Sequence, residues 1–249
     1  MPRMARAVIP GVAHHVTQRG NRREAVFFDD CDRQKYCQLL LEHAPGGVAT
    51  LAYCLMPNHV HFICIPARED ALSAAFGPVN LCYTQYINWR HELTGRLWQG
   101  RFYSCSMDEP HLWAAIRYVE RNPVRAKLVA RAEDYPWSSA RAHCGQRHDP
   151  IVAPLPSEIC IPASQWSGWL AEEDNEAMLA ALRQNTSTGR PAGDESFIQK
   201  LEALTGRPLR APRIGRPSKK VGTPPTFLSR STLQSKEEVP QAPKFLPPD

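Results

Sequence analysis

The chain has 249 residues, 43% of them hydrophobic, which is enough for one large or two small domains with a real core. Its formal charge is +5, yet residues 206–249 alone carry nine Lys/Arg against three acids, so the part before them is close to neutral. No apolar stretch is long enough to span a bilayer and no signal-like segment opens the chain, which argues against a membrane protein and for a cytoplasmic, nucleoid-associated one.

Val12 to Arg19 reads as a strand running into a Gly20-Asn21 turn. Asp30 has the chemistry of an N-cap for a helix carrying Tyr36, Leu39 and Leu40 to about His43, and Gly46-Gly47 ends it. Val48 to Leu55 and Val60 to Pro66 predict two strands joined at Met56-Pro57-Asn58. Asp70 to His91 predicts a long helix with Leu72, Phe76, Val79, Tyr83, Tyr86 and Ile87 spaced for burial. Leu97 to Ser104 predicts a strand, and Pro110 starts a further helix. This order favours an α+β fold, a split antiparallel sheet covered by two helices with the last helix left for the open side.

Beyond residue 145 the pattern thins. Trp166, Trp169 and Leu170 suggest a packed helix from about Ala163 to Arg183. A short helix from Glu195 to Leu204 should dock through Phe197, Leu201 and Leu204. The remainder is a basic tail with nine prolines after residue 205, too proline-rich to pack, which suits a polyanion or is simply a disordered linker. The eight cysteines contain no Cys-x-x-Cys pair and several sit inside apolar runs, so they are expected to be reduced core residues.

Two features carry chemistry. His59 and His61 are spaced i, i+2 at the start of a strand, so both imidazoles project to one face while Val60 and Phe62 take the other. Two neutral imidazoles can clamp a divalent ion with positions left open, although two hydrogen-bonded strand histidines fit the same spacing. In the helix from Pro110, Leu112, Ile116 and Val119 form one stripe, and Tyr118 falls off it beside His111, Ala115 and Asn122. Asn122 offers a carbonyl oxygen as a third ligand one turn from the Tyr118 hydroxyl, although its place before Pro123 works against helical registration.

Pro57-Asn58-His59-Val60-His61 resembles the histidine-hydrophobe-histidine motif of single-tyrosine HUH transposases, and Tyr118-x-x-x-Asn122-Pro123-Val124-Arg125-Ala126 resembles their nucleophile helix. Leu97-Trp98-Gln99-Gly100-Arg101-Phe102 and Tyr135-Pro136-Trp137-Ser138-Ser139-Ala140 match the same pattern, so the resemblance covers about residues 1–145. Asn185-Thr186-x-Thr188-Gly189-Arg190-Pro191 and the later Gly-Arg-Pro repeats resemble the C-terminal segment of REP-associated tyrosine transposases, a bacterial branch of that family.

The resemblance implies a ferredoxin-like HUH domain over 1–145, an accessory helical segment over 146–185, a Gly-Arg-Pro segment for docking or DNA contact over 186–217, and a disordered basic tail over 218–249. It implies Tyr118 as nucleophile, Mg²⁺ or Mn²⁺ on His59, His61 and Asn122, and a 5′-phosphotyrosine intermediate in cutting and rejoining single-stranded DNA beside hairpin-forming, REP-like repeats. No nucleotide cofactor is needed, and no Gly-rich loop ending in GKS or GKT is present. Among this branch a monomer is favoured over a homodimer.

Arg19, Arg22 and Arg23 after the first strand, Arg96 and Arg101 beside the fourth, and Arg190, Arg207 and Arg216 of the Gly-Arg-Pro repeats are the candidate DNA contacts. Gly215-Arg216-Pro217 resembles an AT-hook core, which would lay Arg216 in an A·T minor groove. His111, Glu120 and Lys127 are candidate bases for the phenol. Two other classes stay open: a non-cutting relative that only binds hairpins, and a metal-dependent hydrolase. For the latter, His14, His15, His91, His143 and His148 supply no comparable ligand motif.

Overall fold

A computed structural model describes residues 6–44, 47–156 and 161–210, within one compact unit spanning Met1–Ala211. Arg216, the basic tail, Gly46 and Cys160 lie outside the described residues.

The first seven elements run β1 (His14–Arg19), α1 (Asp30–His43), β2 (Val48–Met56), β3 (His59–Pro66), α2 (Ala71–Arg90), β4 (Tyr103–Ser106) and α3 (Glu109–Glu120). The sheet is antiparallel in the order β2-β3-β1-β4. Pro57 and Asn58 alone separate β2 from β3, so these strands pair as a hairpin. The crossovers through α1 and α2 let β1 slot between β3 and β4, which is the split ferredoxin-like arrangement expected.

Strand alternation divides the core. Val16, Tyr53, Leu55, Val60, Phe62 and Cys64 face α1 and α2, packing on Tyr36, Phe76, Val79 and Tyr83. Ala52, Cys54, Met56, Ile63 and Cys105 face α3, packing on Leu112, Ile116 and Val119. The second layer continues through α4 (Asn122–Arg125), α5 (Ala140–His143), α6 (Ala163–Ala171) and α7 (Glu176–Thr188). Trp166, Leu170, Leu179 and Leu182 therefore share one apolar core with Ile116. Next to β4, Ala192 bonds backbone to backbone with Ser106 and Asp108, and α8 (Glu195–Thr205) follows.

Four local expectations shift. The cap of α1 is Asp29 rather than Asp30: its carboxylate accepts from Asp32 N–H while Asp32 accepts from Asp29 N–H, and this reciprocal pair fixes the start one residue earlier. β4 begins at Tyr103, not Leu97, because β1 ends at the Gly20 turn. Residues 97–100 bond around that turn through Asn21 N–H to Leu97 C=O and Gln99 N–H to Arg19 C=O, outside a regular ladder. The single helix expected over 163–183 is two: Glu172 is extended, and Asn175 caps a new start at Met178 N–H. In α8, Leu201 is buried with Ala7, Ile9 and Leu209, and Phe197 packs against them, but Leu204, on the same stripe in the last turn of the helix, is 73% exposed.

Candidate active site

The histidine pair sits as its spacing requires. His59 and His61 alternate with Val60 and Phe62, and their rings stand 4.8 Å apart, nearly perpendicular, on the α3 side of the sheet. Burial pulls His59 down to about 4 and His61 well below the usual imidazole range, with Arg19 and Arg125 adding to both. Both rings are therefore neutral at physiological pH, the state a metal ligand needs.

Tyr118 meets them from α3. Its ring centroid lies 5.6 Å from that of His61 and 6.1 Å from that of His15, edge-on to both. The face of α3 that carries Ala115 and Tyr118 is buried instead of polar and open, because α7 packs along it through Leu179 and Leu182, and Asn122, in α4, is buried too. Two cations from this layer lie over the phenol: the Arg125 guanidinium 4.1 Å from the ring centre and that of Arg183, from α7, at 5.3 Å. Arg125 also donates to the Tyr118 carbonyl at 2.7 Å, which fixes the turn of helix that carries the phenol.

α3 stops at Glu120 for a local reason. Pro123 has no N–H for the Val119 carbonyl, the Arg121 N–H closes the last turn on the Arg117 carbonyl, and a short new helix begins at Asn122. Asn122 is buried there, and its side-chain Nδ2 has no hydrogen-bond partner.

A cleft of about 420 Å³ opens onto this group, lined by His15, Thr17, Arg19, His61, Gln99, Tyr103, Tyr118, Arg183, Thr186 and Ser187. His61 and Tyr118 thus share one accessible space, whereas neither His59 nor Asn122 is among its lining residues. The two neutral imidazoles, one with a buried Nε2 that has no hydrogen-bond partner, have the chemistry of divalent-metal ligands, whereas the unpartnered atom of Asn122 is its amide nitrogen, a donor that does not ligate a metal.

None of the three candidate bases lines the cleft. His111 pairs with Asp108 at the N-terminus of α3. Glu120 is fully buried and accepts from Ser139, His143 and Trp166, so it ties α3, α5 and α6 together. Lys127 follows α4 with a left-handed backbone, φ 56°. The groups beside Tyr118 are instead His61 and His15.

The candidate DNA contacts scatter. Arg19 lines the cleft. Arg22 and Arg23 project exposed from a turn in which both have positive φ, 51° and 64°. Arg96 and Arg101 line a separate groove of about 570 Å³ along α2, together with Arg6 and Trp98. Arg190 is half-buried with its Nε unpartnered, and Arg207 donates to the Arg6 carbonyl at 3.3 Å.

Residues 9–122 match the family model described as "Transposase IS200 like". Over these residues the chain is similar to that family. The structure of a REP-associated tyrosine transposase bound to a REP hairpin shares its fold, with a TM-score of 0.51 at 20% identity over 63% of this chain and 93% of that one. A protein from Deinococcus radiodurans described as a candidate transposase gives 0.30 at 15% identity over 51% of this chain and 92% of its own. None of the curated proteins compared with the chain matches it. Among the described residues, no helix is long and apolar enough to cross a membrane.

Sequence reasoning missed part of the cleft. His15 donates or accepts at 2.8 Å to His61 and also bonds Thr186, yet it shows no motif, because only the pairing of Thr17 opposite His61 brings it diagonally beside that ring. Arg183 and Thr186 come from α7, beyond the matched family region, and nothing local in their sequence points toward β1.

Proposed function

We propose that the protein is a metal-dependent single-strand DNA endonuclease and strand transferase acting beside hairpin-forming repeats. The single observation that supports it most is the convergence of His61 and Tyr118, from elements more than fifty residues apart, on one cleft. The hairpin partner is carried over from the REP-hairpin-bound transposase that shares the fold.

In this reading His59, His61 and Asn122 hold Mg²⁺ or Mn²⁺, which when bound polarises the scissile phosphate. Tyr118 Oη attacks phosphorus, the bond to the 3′-oxygen breaks, and that oxygen leaves as a 3′-hydroxyl after taking up a proton. The other product is a 5′-phosphotyrosine that keeps the phosphodiester energy for rejoining. Arg125 and Arg183 place positive charge beside the attacking phenol, and Arg19 and Arg183 line the path of the phosphate backbone. Arg22 and Arg23 extend that path from the adjacent turn, and a monomer suffices for the reaction in this reading, with one chain supplying both the histidines and the tyrosine.

The test is incubation of the full chain with single-stranded DNA carrying an imperfect palindrome, with and without Mg²⁺, followed by denaturing electrophoresis. A covalent band that needs the metal, and disappears in Tyr118→Phe while hairpin binding persists, is the expected result. Turnover without an adduct that survives Tyr118→Phe would make the protein a hydrolase, and binding with neither product would make it a hairpin-binding module.

A further inference from the structure

Both histidines of the pair have one ring nitrogen already engaged by a partner of defined polarity. Thr186 is 3% exposed, and of its polar neighbours the Leu182 carbonyl, 2.7 Å away one turn back in α7, can only accept, which assigns the single hydroxyl hydrogen there and leaves the Cys105 thiol, 3.2 Å away, as a donor. Toward His15 it can therefore only accept, so the 2.8 Å contact is His15 Nδ1–H donating to Thr186 Oγ1. A neutral ring that donates from one nitrogen accepts at the other. His15 Nε2 thus receives the proton of His61 Nδ1, 2.8 Å away, and His61 Nε2 is left with its lone pair. That atom is the buried nitrogen without a partner.

His59 is set by a second route. Asn58 Nδ2 donates to the Arg23 carbonyl at 2.9 Å, and because a carbonyl only accepts, the amide's orientation is fixed. Its Oδ1 then faces His59 Nδ1 at 2.6 Å and must accept from it, leaving the His59 lone pair on Nε2. Two chains of hydrogen bonds with different origins, one through α7 and one through the turn after β1, end in the same tautomer.

We propose that Thr186, acting through His15, and Asn58 are positioning residues that lock His61 and His59 as Nδ1–H tautomers, keeping both Nε2 lone pairs free for a metal ion. The inference deepens the reading of these histidines as metal ligands and rests on it for its purpose, but the tautomers themselves are measurable without metal or DNA. It also gives α7 a function in the site: the helix supplies the acceptor that orders the relay.

The experiment is long-range ¹H–¹⁵N correlation of the imidazole rings in the full-length, metal-free chain. Wild type is expected to show His15, His59 and His61 as Nδ1–H tautomers. Thr186→Val, which keeps the shape of the side chain but not the acceptor, is expected to shift His61 toward the Nε2–H form and to weaken Mn²⁺ binding, measured calorimetrically without DNA, by about 10- to 100-fold. Thr186→Ser should restore both, and Asn58→Ala should move His59 while leaving His61 in place. An Nε2–H signal for His61 or His59 in wild type overturns the proposal, as does a His61 tautomer indifferent to Thr186→Val. Should the predicted tautomers appear while Mn²⁺ fails to bind wild type, the positioning relay stands and the metal reading falls.

Discussion

His14 and His15 are neighbours in β1 and both are buried, yet alternation sends them to opposite faces of one sheet, where they have opposite fates. His14 accepts from the Ile9 N–H and bonds the Val12 carbonyl, so both its nitrogens are consumed within its own strand entry. His15 bonds Thr186 on one side and His61 on the other, and so becomes part of a chain of polar groups leading to the cleft. The same contrast separates His61 from Phe62. The face under α1 and α2 is filled with aromatic rings, and the face under α3 and α7 gives up part of its packing for an open space beside a tyrosine. A buried histidine is thus structural or functional according to what its second nitrogen meets.

The sharpest way to break this comparison is to alter positions 61 and 62 in turn. His61→Ala is expected to reduce the covalent DNA adduct below detection while lowering the unfolding free energy by only about 1–3 kcal/mol, the cost of leaving the His15 nitrogen unpaired. Phe62→Ala on the packed face should instead cost about 3–5 kcal/mol in urea unfolding, because its ring is fully buried against Tyr53 and Phe76. Equal stability losses at the two positions would erase the distinction between the faces.

Acid should act on both faces together. Burial lowers His14 to about 4 and His15 to about 3, below the ordinary 6.5 that each regains on unfolding. The unfolded chain then binds more protons than the folded one between those values, so stability rises with pH through this window and is lost as pH falls from about 6.5 toward 4. His14 alone accounts for roughly 3 kcal/mol of that loss. Urea midpoints measured from pH 7.5 to 4.5 should decline accordingly, and a flat profile would contradict the burial of these rings. The smallest effect is expected at the rim: Arg183→Ala should weaken single-stranded DNA binding several-fold and reduce the slope of log affinity against log salt by about one, read by fluorescence anisotropy at several salt concentrations.

Much of this was legible in advance, for local reasons. The alternation of His59, Val60, His61 and Phe62 settles which side chains share a face once the segment is a strand, and Pro57-Asn58 marks the turn beside it. The helical spacing of Leu112, Ile116 and Val119 likewise placed Tyr118 off the main apolar stripe. Boundaries failed where the deciding contact is not local. The strand expected from Leu97 became a loop because it bonds around the end of β1, and α6 and α7 separated because Asn175 offers a cap that periodicity does not register. Leu204 failed because sharing a stripe with Phe197 and Leu201 does not tell how far along α8 the contact with Ala7 and Ile9 reaches.

The sequence by itself determined the elements, the shared direction of the two imidazoles and the motifs that resemble a transposase, since each follows from periods of two or 3.6 residues and from residue type. Only the tertiary structure decided that His15 and Thr186 complete the site, that α7 covers the tyrosine's face of α3, and that Glu120 serves as a structural tie. Those outcomes depend on strand register and on a helix returning from far along the chain, and no local pattern encodes either.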